Sequence, residues 1–417
     1  MRSAALVAVA LALVVAGYAS RAHALPRFAA RAGRDCSLCH VNPSGGGPRN
    51  AFGRVFARTW LPWRATASPS VPTAGPSRAG FDPIGAFDGQ LTEWLAVGAD
   101  VRAAYLWVRP DRGIPPATRP EITSSFFLMQ GALYADAALG PHVTMMLALN
   151  VYAGVEGWAL ARLRPEPSPW NLYLKAGRFM PPFGLRDVQH QLYTRGGIGF
   201  GNADRDTGLE LGALLGPLSA QVALLNGTFG DAALDVHGSE ATWFRKAIAA
   251  RLALRMAAGP LRLTAGASFY YGGNGAQANP LFGGALPAAQ AGDVAAGVDE
   301  LRAGGFVAAS LGRLAYQAEL VVVRDSFVRS SVAPITGHAS AQELSFVPVQ
   351  GLDVLTTLEF RDRDVELTGD WSARLGFAVE LFPFPFTELR LMVRREWSDV
   401  SATGGAWDFV GFIHLFP

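Results

Sequence analysis

The chain has 417 residues, of which 50% are hydrophobic and only 17% charged, and its formal net charge is +2. Near-balanced charge, with basic residues dispersed and not gathered beside stacking aromatics, argues against nucleic acid as a partner. Only two cysteines occur, two residues apart, a spacing that a C-x-x-C dithiol or a short-loop disulfide would also explain.

The first segment reads as an export signal. Arg2 supplies a positive start, residues 4–17 an apolar core, and Ala22-His23-Ala24 a small-x-small cleavage site. Residues 1–24 are therefore expected to be a cleaved signal peptide, and the mature chain to begin at Leu25. The apolar run falls short of the ~20 residues a spanning helix needs.

Residues 25–64 follow as a small, mostly helical and coil segment that contains both cysteines, in Cys36-Ser37-Leu38-Cys39-His40. Two thiols at this spacing add to the two vinyl groups of one porphyrin, and the adjacent imidazole then lies under the iron. Cys36, Cys39 and His40 are thus the expected holders of one covalent haem c, His40 as proximal iron ligand. Asn50 is placed to cap a short helix with Phe52, Val55, Phe56 and Trp60 on one face, which is expected to cover the porphyrin, and Arg54 and Arg58 on another. A segment of forty residues buries little core by itself, so the haem would supply apolar surface. Residues 25–80 contain no methionine and no histidine besides His40. The iron's sixth position is therefore either open or filled from the rest of the chain. His142, His190, His237, His338, His414 and the later methionines are candidates. His142 comes first because strand parity sets it opposite an oily face, and His190 second.

Residues 65–87, rich in Pro, Ala and Ser, read as an extended linker. Residues 88–417 then repeat one pattern. Leu95, Val97, Ala99, Val101, Ala103, Tyr105 and Trp107 alternate with Gly98, Asp100, Arg102 and Ala104. The alternation recurs from Val143 to Val151, from Ile248 to Met256, from Leu367 to Leu381 and from Trp407 to Leu415. Stretches of roughly ten residues exceed the 5 or 6 usual in soluble sheets. Gly, Pro and charges interrupt every apolar run, which leaves a closed barrel as the membrane-compatible use of this composition. At roughly 20 residues per strand and connection, the length gives about 16 strands. The expected fold is all-β, a transmembrane antiparallel barrel preceded by the small monohaem cytochrome c segment. Trp94, Tyr105, Trp107, Tyr270, Tyr271, Trp371, Trp397 and Trp407 suit interfacial girdles. Parity turns Arg102, Arg245, Arg251, Arg255 and Arg374 to the lumen, where they serve either haem propionates and anions or carboxylates such as Asp100 and Glu380. Glu93, Glu210 and Glu319 fall on separate strands, and no catalytic carboxylate pair, nucleophile triad or phosphate loop is evident.

Two stretches carry a family resemblance. LPRFAARAGRDCSLCH followed by NAFGRVFARTW resembles the amino-terminal segment of fused monohaem cytochrome-porins, a family that includes outer-membrane iron oxidases. LKAGRFMPPFGLRDVQHQLYTR, from Leu174 to Arg195, resembles a turn of phosphate-selective-type porins. The resemblance implies a Gram-negative outer-membrane electron carrier with its haem segment in the lumen or on the periplasmic side. Its implied partners are outer-membrane lipid, a periplasmic cytochrome or other redox protein, and an extracellular redox substrate such as Fe(II). Because the hydrocarbon layer is ~30 Å thick, a haem held as a plug would shorten the electron's path. The chain departs from the family in a Gly-Pro insertion at residues 42–48, read as flexible, and in ending Phe416-Pro417 rather than on an aromatic residue. The competing reading is an anion or solute porin whose haem segment is a sensor or a plug. A third is a small-ligand haem enzyme with an open iron position.

Overall fold

The computed structural model describes residues 26–63, 89–110, 123–227 (apart from 153, 166–167, 169, 187–188, 190, 197 and 202–203), 246–274, 298–327, 333–399 and 405–417. Sixteen antiparallel strands form one closed barrel in which each pairs with its sequence neighbours. They run from 8 residues in β3 (Val143–Asn150) to 16 in β1 (Leu95–Pro110). The last strand, β16 (Gly405–Leu415), pairs with both β15 (Thr387–Ser398) and β1. The two final residues extend this seam. Phe416 donates to the Phe386 carbonyl, and the Pro417 carbonyl accepts from the Ala99 amide.

Period-two patterning gives the barrel two faces. Leu147, Leu211, Leu252, Leu320, Phe377, Leu391 and Ile413 are exposed on the outside, where a bilayer supplies the apolar solvent. Arg102, Lys175, Glu210, Glu319 and Arg374 are buried inside. No helix among the described residues is long and apolar enough to cross a membrane. Two expectations need correction. Tyr270 belongs to no girdle: it is buried in the lumen edge-on to Phe200. Leu367 precedes β14 (Trp371–Leu381) and belongs to a connection, because Asp364 and Asp370 form a hydrogen-bonded turn there.

Connections at the end where β1 begins are short, as at residues 216–217, 259–260, 312–313 and 350–351. Short turns mark the periplasmic end of such barrels. Sixteen strands enclose a lumen wide enough for water, and here two segments fill it. Residues 26–63 occupy the short-turn mouth, with helices α1 (Pro26–Ala32) and α2 (Ala51–Thr59). From the opposite end, the connection from β5 (Trp170–Phe179) to β6 (Asp206–Leu215) folds inward. Its Phe183, Leu185, Tyr193, Ile198 and Phe200 are buried, and Phe183 stacks on Phe200 at 4.0 Å. Arg195 pairs with Glu319 at 2.5 Å, and the Gly184 amide donates to Ser268.

Buried polar contacts seat the mouth segment. Arg27 meets Glu343 at 3.0 Å, Asp353 at 3.1 Å and also Glu380, all on the barrel wall. Asn50 caps α2 by accepting from the Gly53 amide, as its sequence position predicts. The apolar face of α2 does not cover the cavity beside the cysteines. Phe52, Phe56 and Trp60 instead pack with Phe28, Leu61, Phe382, Phe386 and Phe416 at the barrel rim, where the short turns supply aromatic partners.

Candidate functional site

A cavity of about 110 Å³ lies between the mouth segment and the inward connection. Cys36, Cys39 and His40 form one side of it, the barrel wall another, and Met180 and Arg186 of the inward connection a third. The wall arises from register. Arg102 of β1 lies opposite Gln130 of β2 (Thr123–Ala138) and opposite His414 of β16, which in turn lies opposite Glu388 of β15. Four neighbouring strands thus present one polar row, part of which lines the cavity.

The C-x-x-C-H segment is a single 3₁₀ turn, Cys36–Leu38, closed by the Cys39 and His40 amides on the Cys36 carbonyl. Asn50 ties this turn to α2, its side-chain amide donating to the Ser37 carbonyl at 2.9 Å. Residues 42–48, expected to be a flexible insertion, are a buried docking loop. Asn42 and Ser44 are 1% and 3% exposed, and Ser44 accepts from Lys175 at 3.0 Å. The Gly45 and Val41 carbonyls accept from Arg186 and Arg162. Gly45, at φ +91°, has no room for a side chain, since a Cβ there would stand 2.9 Å from the Cys36 sulfur. The glycines let this loop pass directly against the thiol.

The donor set fits a c-type haem. The two thiols are not joined in a disulfide, and both line the cavity. His40 Nδ1 lies 3.3 Å from the Gly47 carbonyl, which leaves Nε2 as the nitrogen available to a metal. Burial pushes the Cys39 thiol up to about 12 and holds the His40 imidazolium down to about 4. The imidazole is therefore neutral, the form that ligates iron. Burial also raises the Cys36 thiol, against the opposing pull of Arg251. Arg49, Arg102, Arg186 and Arg205 line the cavity together with Asp100 and Glu156; Arg205 pairs with Glu156 at 2.5 Å and Arg102 lies 3.8 Å from Asp100.

The remaining expected residues fall elsewhere. His142 is not in the lumen but exposed in the turn before β3, where parity no longer holds, and its Nδ1 lies 2.9 Å from the Arg162 carbonyl. His190, His237 and Arg245 lie outside the described residues, as do the linker at residues 65–87 and the signal segment through Leu25. His338 packs beside Phe360 and does not line the cavity. Of the arginines that parity turned to the lumen, Arg102 alone among those described lines it. Arg374 pairs with Glu359 at 2.8 Å, Arg255 with Asp35, and Arg251 donates to the Gly184 carbonyl at 2.8 Å. Glu210 and Glu319 have cation partners, Lys175 at 2.7 Å and Arg195. Sequence reasoning did not single out Arg49, Arg186, Arg205 or Met180. Met180 was a candidate only as one of the later methionines, and it lies in the Phe-Met-Pro-Pro-Phe-Gly stretch.

No family model matches the chain, and no curated protein matches it. Among solved structures, Pseudomonas putida OprB superposes with a TM-score of 0.53 at 10% identity, covering 78% of this chain and 94% of that one. The anion-selective porin from Comamonas acidovorans gives 0.50 at 12% identity over 78% and 99%. Outer-membrane expressed OmpT of Vibrio cholerae gives 0.50 at 8% over 78% and 97%. At these identities the likeness concerns the fold, and the fold of this chain is a porin-like transmembrane barrel.

Proposed function

We propose that this protein is an electron carrier of the Gram-negative outer membrane, with one haem c attached through Cys36 and Cys39 and ligated by His40. It exchanges electrons between an extracellular donor or acceptor, Fe(II) among them, and a periplasmic cytochrome. The observation that carries this reading is the convergence of the complete motif on one cavity, between a segment that fills the periplasmic mouth and a connection folded in from the other end. A haem bound there supplies reversible one-electron chemistry.

The chain's own residues set the conditions. The Gly47 carbonyl orients His40 through Nδ1. The cavity arginines hold carboxylates within the barrel, and buried packing on both sides limits water. Lysines and arginines elsewhere in the lumen are largely matched by carboxylates, as in Lys175–Glu210 and Arg302–Asp325, so the interior is neutralised rather than strongly anion-attracting.

The test is an anaerobic visible spectrum of the purified protein, first oxidised and then mixed with Fe(II). A c-type α band that appears promptly supports the reading, and the same band only with dithionite directs the search to other donors. Absence of a haem band overturns it. The porin-like fold favours a second reading, a solute or anion porin whose amino-terminal segment is a structural or regulatory plug. High conductance of the intact protein would establish that reading.

A further inference from the structure

The geometry points to Met180 as the sixth ligand of the haem iron, delivered to the cytochrome segment by the barrel's own inward connection. This inference rests on the haem reading above. Residues 25–80 offer no second methionine or histidine, so a protein-derived sixth ligand comes from the barrel side of the cavity. Among the described residues that line it, the side chains with a donor typical of c-type haem iron, besides His40, are Met180 and His414. His414 is hydrogen-bonded to Glu388 through Nδ1, and its Nε2 stands beside Asp100 without hydrogen-bond geometry. Its Nε2 lies 2.9 Å from Asp100 and its Nδ1 2.8 Å from Glu388. Ligation through either nitrogen would separate a buried imidazole from a carboxylate. The Met180 thioether has no strong hydrogen bond to give up.

A second observation fixes where Met180 stands relative to the cysteines. Arg186 donates to the carbonyls of Met180 and Pro181 at 3.0 Å each, and its other terminal nitrogen donates to the Gly45 carbonyl at 3.0 Å. Gly45 is the residue packed against the Cys36 sulfur. One guanidinium therefore clamps the backbone carrying Met180 to the loop beside the attachment site. The barrel thereby closes the coordination sphere that the short cytochrome segment leaves incomplete, and substrate is expected to exchange electrons at the haem edge rather than bind iron. Met146, the other lumen methionine near this loop, is buried with Val41 and Trp158 and does not line the cavity.

The experiment compares wild type, Met180→Leu, Met180→His and Met146→Leu in detergent. Readouts are the far-red absorption of sulfur-ligated ferric haem and the strongly upfield-shifted methionine methyl signal of the ferrous state. Wild type and Met146→Leu should show both signatures, and Met180→Leu should lose both and bind cyanide readily. Met180→His should be low-spin with a lowered reduction potential, since methionine ligation raises it. Signatures that persist in Met180→Leu, or a high-spin wild type, overturn the assignment while leaving the haem in place. Should Met180→Leu fail to assemble, Met180→His decides: loss of both methionine signatures supports the assignment, and their persistence overturns it. A wild-type protein without haem overturns the functional reading and this one together.

Discussion

Arg27 shows how single residues hold the amino-terminal segment in the barrel. Its guanidinium is 1% exposed and faces Glu343, Asp353 and Glu380, so removing it takes a cation from three buried carboxylates, of which Asp353 keeps Arg31 and Glu380 keeps Arg390. Breaking a buried ion pair from one side costs about 3–5 kcal/mol. Arg27→Ala should therefore loosen the segment, read as raised single-channel conductance and faster protease cleavage before residue 64, while the barrel stays folded. Asn50→Ala is milder, because it removes the cap of α2 and the bond to Ser37 for about 0.5–2 kcal/mol. It should lower haem content modestly, measured as haem absorbance per protein. At this scale the motif and the Asn50 cap were legible, since both are local in sequence. Arg186 and Met180 were not, because their meaning depends on a connection turning back into the barrel, which no periodicity encodes. His142 failed for a related reason: parity assigns a face only within a strand, and His142 lies one residue before β3 begins.

At the level of elements, the inward connection and the docking loop depend on backbone that only glycine adopts comfortably. Gly184 has φ +57°, and a Cβ on it would collide with the Glu319 carboxylate that pairs with Arg195. Gly184→Ala should cost about 1–3 kcal/mol from the left-handed backbone alone, plus loss of the ion pair. The expected result is a lower melting temperature and a wider pore, with the strand content measured by circular dichroism unchanged. Gly45→Ala carries the same backbone strain but presses on Cys36, so it should reduce covalent haem attachment while leaving melting of the barrel nearly unchanged. Strands were readable because the bilayer demands an oily outer face every second residue. The docking loop at residues 42–48 was misread as flexible because its composition is that of a linker. What orders it is Lys175, Arg186 and Arg162, more than a hundred residues away.

For the whole molecule, the central question is why a barrel of sixteen strands should be filled at all. Barrels of this size leave an aqueous channel when only a loop narrows them. Here the mouth segment adds α1, α2 and the docking loop to what the connection between β5 and β6 already occupies, and its contacts reach strands all round the wall, from Asp353 and Glu380 to Arg162 and Arg255. Contacts on so many sides make the segment a stopper whose removal should not unfold the closed hydrogen-bonded ring. Deleting residues 25–64 while keeping the export signal should therefore yield an inserted barrel with the usual resistance to unfolding in cold detergent, no haem, and a conductance several times that of the intact protein. A smaller second increase should follow when Arg195→Ala is added, because that change frees the inward connection from Glu319. If the intact protein already conducts as freely as the truncated one, the mouth segment does not seal the pore, and transport rather than electron transfer becomes the use to which this fold is put.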